Sequence, residues 1–440
     1  MNLGGAVDLD RTGKGRPRLP QVSSAAGGTA KRMLAFAGPG YLVAVGYLDP
    51  GSWATSIAGG AQFGYTLLSV VFISNLVAMA LQAAAVRLGL AGGQDLAQAC
   101  RQHLPPGVTL LLWALCEVAI IACNLAEVLG MAIGLNLLLG LPLLPGVCVT
   151  VVVALLILAL QSRGFRSLEA VVIVLVTLVG TCFAAQLVWL QPPLVAVLHG
   201  FVPHAGIVAD PHMLYLAVGI VGATVMPHNL YLHSAIVQTR QHAQTPEGMR
   251  SAIRFATTGS TVALALALLV NAAIMVVAAS AFNRAGVGPL TKLSEGYALL
   301  SPMLGVGIAS AVFGLALLTS GLSSSVTGTL AGYIVMEGFL DIRLSPALRA
   351  LLTRCIAVVP ALLAIAWFGS AGAGALLIFS QVVLGLQLPF AVFPLLWFTT
   401  RRKHLGDLAF GWPMSVLLWA AALAIVALNA WMLQLMWAVR

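Results

Sequence analysis

The chain has 440 residues, of which 22 are Lys or Arg and 13 Asp or Glu; 8% are charged, 60% are apolar, and the mean hydropathy is +1.00. A soluble protein carries roughly 25% charged residues, and disorder requires low hydrophobicity with high charge, so the composition excludes both. Long continuous apolar runs, in place of short alternating ones, exclude a transmembrane β-barrel as well and leave a polytopic all-α membrane protein.

Residues 1–30, rich in Gly, Ser, Pro and basic side chains, read as a flexible cytoplasmic tail. No apolar h-region with a cleavage site follows, so no signal peptide is expected. Eleven spans are predicted, at about 34–60, 65–91, 108–138, 142–161, 168–190, 212–235, 252–282, 304–338, 347–368, 372–399 and 411–438. The proline-rich stretch 191–211 (Pro192, Pro193, Pro203, Pro211) reads as an extracytoplasmic loop. An odd number of spans puts the termini on opposite sides. With the N-terminus in the cytoplasm and the C-terminus outside, 19 of the 22 basic residues fall inside, and only Arg284, Lys292 and Arg440 fall outside. The net charge of +9 is thereby explained as topology in a multi-pass cell-membrane protein, and no nucleic-acid partner is implied. The six cysteines (Cys100, Cys116, Cys123, Cys148, Cys182, Cys355) form no CxxC pair and read as small buried hydrophobes.

Two spans are interrupted. In span 1, Gly46-Tyr47-Leu48-Asp49-Pro50-Gly51-Ser52 sets a carboxylate beside a proline and a glycine inside an apolar run. This predicts an unwound segment at membrane depth, with free carbonyls near Gly46 ending the first half-helix. Carboxylate, hydroxyl and carbonyls together make a hard oxygen site for a cation. In span 6, Gly222-Ala223-Thr224-Val225-Met226-Pro227-His228-Asn229 breaks in the same way and continues to His233. The Met226 thioether suits softer transition ions and suits Mg²⁺ or Ca²⁺ poorly, and His228 titrates near neutrality. His233 reads equally as a second proton carrier or a hydrogen-bonded structural residue. Breaks five helices apart point to an inverted repeat with the substrate at its midplane. The first repeat then occupies 31–190 and the second 212–400, with one more span in 401–440.

Span 3 carries Glu117, Asn124 and Glu127 within about 80° on one helix face, the pattern of a wet pathway or proton relay. Span 10 carries Ser380, Gln381 and Gln387; the Gln381 amide oxygen is either a ligand or interhelical glue. HExxH, GxSxG and GxxxxGK[ST] are missing, so no enzyme signature is present.

These residues resemble the Nramp divalent metal transporters, known for proton-coupled uptake of manganese and iron. Asp49-Pro50-Gly51 and Met226-Pro227-His228-Asn229-Leu230-Tyr231-Leu232-His233-Ser234 look like the two signature motifs. Asn124-Leu125-Ala126-Glu127-Val128-Leu129-Gly130 is similar to the third-helix motif. Thr327-Gly328-Thr329 with Val335-Met336-Glu337-Gly338 resembles the eighth helix, and Ser380-Gln381-Val382-Val383-Leu384 through Leu388-Pro389-Phe390 the tenth. The likeness runs from about 33 to 400. It implies a LeuT-like 5+5 inverted repeat working by alternating access, with Mn²⁺ or Fe²⁺ as transported substrate and no resident cofactor. It implies that Asp49, Ser52 and Met226 bind the ion, with carbonyls of Gly46 and Ala223 in some states and Gln381 in the occluded state. His228, His233 and Glu127 would match proton-linked positions.

Two positions depart from the family pattern. Ser52 stands where an Asn is usual, and its hydroxyl reaches less far. Asn124 stands where an Asp is usual and cannot titrate, so weak or absent proton coupling is the alternative. An amino-acid–cation symporter on the same scaffold fits less well, because such a site presents a helix N-terminus to a substrate carboxylate. An intramembrane metal hydrolase, built from the histidines and carboxylates, is the remaining alternative.

Overall fold

Within a bilayer the backbone must satisfy its own N–H and C=O groups, and this chain does so almost wholly with helices. The computed structural model describes residues 29–150, 183–240, 245–283, 309–342 and 346–438, together with positions 152, 177, 180, 181 and 243. Residues 1–28 of the predicted tail lie outside the described residues, as do half of span 4, about half of span 5 and the start of span 8.

Helices α1 (Thr29–Gly46) and α2 (Pro50–Phe63) flank the first break. Pro50 takes the first position of α2, where a missing N–H is harmless. Helix α3 (Leu68–Ala91) leads to a short α4 (Leu96–His103), and α5 (Pro106–Leu139) ends at Gly140, whose φ of 67° favours glycine. Segments 143–150 (α6) and 183–190 (α7) are helical. The proline-rich stretch expected as a loop holds two short helices, α8 (Leu194–His199) and α9 (Gly206–Ala209). Helices α10 (Pro211–Val225) and α11 (Pro227–Ile236) flank the second break. Helix α12 (Pro246–Ala278) closes in a π-helical turn, Ala279–Asn283. Helix α13 is Ala309–Leu340. Predicted spans 9 and 10 are the two helical arms of α14 (Pro346–Thr399), separated at the non-helical Gly369 (φ 64°, ψ −152°). A short α15 (Arg402–Leu405) precedes α16 (Trp412–Ala438).

Six helices among the described residues are long and apolar enough to cross a membrane. Helix α5 packs along α13 and α14, α1 along α12, and α10 along α14, so both breaks lie deep in the bundle. Pro50 packs tightly on α5, where an added Cβ at Gly130 would lie 2.1 Å from Pro50 Cβ, and is in ordinary contact range of α13, 3.5 Å from a Cβ at Gly321. Cys100, Cys116 and Cys123 are buried. Cys148 is exposed, against expectation: it lies on a face of α6 whose apolar neighbours Leu144 and Val149 are exposed too.

Helix α4 is tied down at its start. Asp95 Oδ1 accepts the Gln98 N–H at 2.9 Å while the Gln98 side chain accepts the Asp95 N–H at 3.3 Å. The Leu96 N–H donates to Ser234 Oγ of α11 at 3.0 Å. Asp95 is 5% exposed. Burial pushes its carboxyl up to about 7, and Glu337 adds to this, against the opposing pull of the Gln98 and Ala97 N–H groups and of Arg101. A raised carboxyl stabilises the fold fully below its ordinary value of 3.8, and that contribution is lost as pH rises through about 7. Asp95→Asn keeps the helix cap and removes the titration, so it should flatten the decline of thermal stability over that window. Parallel slopes for the two proteins in melting curves across pH would refute this assignment.

Candidate ion-binding site at the helix breaks

The first break can be followed bond by bond. The carbonyls of Ala44, Val45 and Gly46 accept the N–H groups of Tyr47, Leu48 and Asp49 at 3.1, 3.1 and 3.2 Å. The expected free carbonyl at Gly46 is therefore already engaged, because the last turn tightens to i→i+3 bonding when Pro50 cannot close the i→i+4 bond. One lone pair of that oxygen is left for a ligand. The next N–H groups do not return to the helix. Gly51 and Ser52 donate theirs to the Asp49 carboxylate, at 3.3 and 2.8 Å. This leaves the carbonyls of Tyr47 and Leu48 without ladder partners, and distant side chains replace them. Asn271 Nδ2 of α12 donates to Tyr47 O at 2.9 Å, and Ser320 Oγ of α13 donates to Leu48 O.

Asp49 is fully buried and caps α2. The Ser52 hydroxyl donates to Asp49 Oδ1. Gln381, also fully buried, lies over the same turn: an added Cβ at Gly51 would fall 1.9 Å from Gln381 Nε2 and 2.9 Å from Asp49 Oδ2. Gln381 Nε2 donates to Ser380 Oγ at 3.1 Å, and its Oε1 has no hydrogen-bond partner. Asp49, Ser52 and Gln381 thus converge on one buried point, from α2 and the second arm of α14.

The second break repeats this logic. Pro227 removes the N–H that would close on the Ala223 carbonyl, as Pro50 does for Gly46. Met226 links the half-helices with φ 41° and ψ 94°, a conformation that costs a non-glycine residue about 1–3 kcal/mol. Surrounding bonds hold it there. Its N–H donates to Gly222 O at 3.1 Å, its carbonyl accepts from Asn229 N at 3.0 Å, and Asn229 Nδ2 donates to its sulfur at 3.3 Å. The same Nδ2 stands against Gly46, 2.6 Å from an added Cβ, so Asn229 joins the two breaks.

The other candidates lie around this centre. His228 is 1% exposed and its Nδ1 has no hydrogen-bond partner. His233 Nδ1 meets Gln82 Oε1 at 2.7 Å; Gln82 Nε2 donates to Tyr47 Oη at 2.7 Å, and that hydroxyl donates to Val225 O at 3.2 Å. This buried chain runs from α11 through α3 to both breaks. Glu127 Oε1 accepts from Ser324 Oγ at 2.8 Å. Asn124 is buried, but its amide donates back to Ile120 O of its own helix at 2.8 Å. Glu117 is only half-buried and lies about 15 Å along α5 from Glu127, so the three polar residues of this span do not form one uniformly buried stripe.

Sequence reasoning missed Asn229, Tyr47, Gln82, Asn271, Ser320 and Ser324 as contributors. Gln82 and Asn271 were visible as isolated amides in apolar spans, the expected mark of a buried interaction. No group of three or more His, Cys, Asp or Glu is poised as a metal cluster among the described residues. Asp49 instead lies beside a hydroxyl and an amide, with Met226 at the neighbouring break.

Comparison with known proteins accords with this architecture. The family model for Nramp, natural resistance-associated macrophage protein-like, matches residues 40–435. A Bradyrhizobium diazoefficiens protein named divalent metal cation transporter MntH is 55% identical over 399 residues, covering 91% of this chain and 89% of that protein. The crystal structure of the Eremococcus coleocola manganese transporter superposes with a TM-score of 0.86 at 35% identity, covering 96% of this chain and 90% of that one. Mhp1, in its inward-facing conformation, shares the fold at a TM-score of 0.57 and 16% identity, over 90% of this chain and 89% of that one. With nearly its whole length matched by the family model and by a relative above half identity, this chain belongs to the Nramp family.

Proposed function

We propose that this protein imports divalent transition-metal cations, Mn²⁺ and Fe²⁺, across the cell membrane by alternating access. The observation that carries this reading is the convergence of Asp49, Ser52 and Gln381 beside a second break that holds a Met thioether. Asp49 supplies the charge, Met226 the soft ligand, Ser52 and Gln381 neutral oxygens, and the carbonyls of Gly46 and Ala223 complete the shell as the half-helices move. The names and substrates of the relatives support the same class of cargo. In this reading spans 1–5 and 6–10 are the two repeats, and the N-terminus faces the cytoplasm.

His228, His233 and Glu127 are the proton-linked groups of the reading, with Glu117 toward one end of the path. Weak or absent coupling is the second reading. It is favoured by Asn124, which is non-titrating and hydrogen-bonded within its own helix. Mn²⁺ uptake into liposomes loaded with a pH dye, with Mg²⁺ as competitor, tests both. A fixed ratio of acidification to uptake is expected from coupling, and uptake without acidification selects the second reading. Mg²⁺ competing as well as Mn²⁺ itself would sink the choice of cargo.

A further inference from the structure

We infer that Asn429, on the helix appended after the two repeats, is a positioning residue for the ion site: it supplies the hydrogen bond that Pro389 removes from the Gly385 carbonyl and so sets where Gln381 stands. The inference rests on the reading of Gln381 as a ligand.

Prolines that follow a helical turn obey one rule, and three of them matter here. Each deprives the carbonyl four residues earlier of its helical N–H: Pro50 deprives Gly46, Pro227 deprives Ala223, and Pro389 deprives Gly385. The first two helices break there. The third, the second arm of α14, stays helical through Pro389. Helix α1 at Pro39 and α14 at Pro360 and Pro394 stay helical too, so Asn429 is not what keeps the helix whole; what it does is meet the freed carbonyl. Asn429 Nδ2 reaches across from α16 and donates to Gly385 O at 2.8 Å.

Asn429 is well placed for that role. The buried residues of α16 are Leu418, Ala422, Ile425, Asn429 and Met432, a seam spaced four and three apart. Asn429, 7% exposed, is the one polar member of that seam. An amide buried in a membrane helix is costly unless partnered, so its bond to Gly385 explains its presence. Around it, Met432 packs with Leu214 and Val218 of α10 and with Val382 of α14.

The carbonyl it holds sits at a tight junction. A Cβ at Gly222 of α10 would fall 2.2 Å from the Gln381 carbonyl and 2.3 Å from the Gly385 nitrogen; one at Gly385 would fall 2.6 Å from Val218 O. Gln381 is one helical turn before Gly385, and Gly222 is four residues before Met226. The junction therefore relates the helix bearing Gln381 to the helix bearing Met226. A proline is a place where helices kink, and Asn429 latches this one to α16.

The test is a double-substitution series on the purified full-length protein, with Mn²⁺ affinity read by titration calorimetry. Asn429→Leu, close in size but without a donor, is expected to weaken Mn²⁺ binding roughly five- to tenfold. In a Gln381→Ala background it should add nothing, because the ligand it positions is gone. In a Pro389→Ala background it should also add nothing, because the N–H restored at position 389 closes on Gly385. If Gln381→Ala leaves affinity unchanged, the ligand reading fails. If Gln381→Ala weakens binding and Asn429→Leu does not, the latch is overturned while the ligand reading stands. Equal weakening by Asn429→Leu with and without Gln381 shows a merely structural role and also overturns it. Should Asn429→Leu fail to fold, Asn429→Ser, whose hydroxyl is too short to reach, takes its place in the same series.

Discussion

Asp49→Ala is expected to abolish Mn²⁺ uptake by proteoliposomes. Asp49 is the carboxylate at the convergence of α2 and α14, and Gln381 and Ser52 beside it are neutral. Removing it leaves neutral oxygens and a thioether to replace the hydration shell of a divalent ion, which they cannot do without a charge. The substitution has a second effect that must be separated from the first. Asp49 also accepts the N–H groups of Gly51 and Ser52, and leaving buried donors unpaired costs about 1–3 kcal/mol each. Asp49→Asn separates the two in part: its Oδ1 can still accept the Ser52 N–H, the shorter bond, while its Nδ2 loses the longer one from Gly51. It should be more stable than Asp49→Ala and still lose uptake. Transport persisting in the Asn variant would remove the charge from the mechanism.

Met226→Ala should let Ca²⁺ and Mg²⁺ compete better against Mn²⁺, with a smaller loss of Mn²⁺ transport than at Asp49. The thioether favours softer ions over hard ones. Here too the backbone complicates the comparison, because Met226 sits at φ 41°, where any side chain is strained. Alanine keeps that strain and glycine relieves it. Met226→Gly and Met226→Ala should therefore shift ion competition alike while differing in stability. If competition by Ca²⁺ is unchanged in both, the sulfur does not select the ion. If the two variants differ from each other, backbone conformation rather than the thioether sets selectivity.

The class of fold was legible at once, because 8% charge and long apolar runs admit only a helical membrane bundle. The positions of the two breaks were legible for a local reason: Pro50 and Pro227 lack an N–H wherever the rest of the chain lies. Asp49, Met226 and Gln381 stood out because polar and soft side chains in apolar runs are costly and need an explanation. The division of Pro346–Thr399 was legible as well, since the hydropathy pattern parts at 368–372 and the non-helical Gly369 falls there.

What the sequence by itself determined, then, was composition, periodicity and the carbonyls that each proline leaves behind, all properties of residues within one turn of one another. Only the tertiary structure decided what becomes of those groups. Tyr47 O is met by Asn271, 224 residues away, Leu48 O by Ser320, 272 away, and Gly385 O by Asn429, 44 away. The Gly46 carbonyl, expected free, is taken by Asp49 N–H at 3.2 Å as the turn tightens. Of the four, Gly46 O alone is met within its own turn. The physical reason is common to the other three: a backbone group orphaned in a membrane must find a partner, and beyond the reach of its own turn that partner depends on which helices pack beside it.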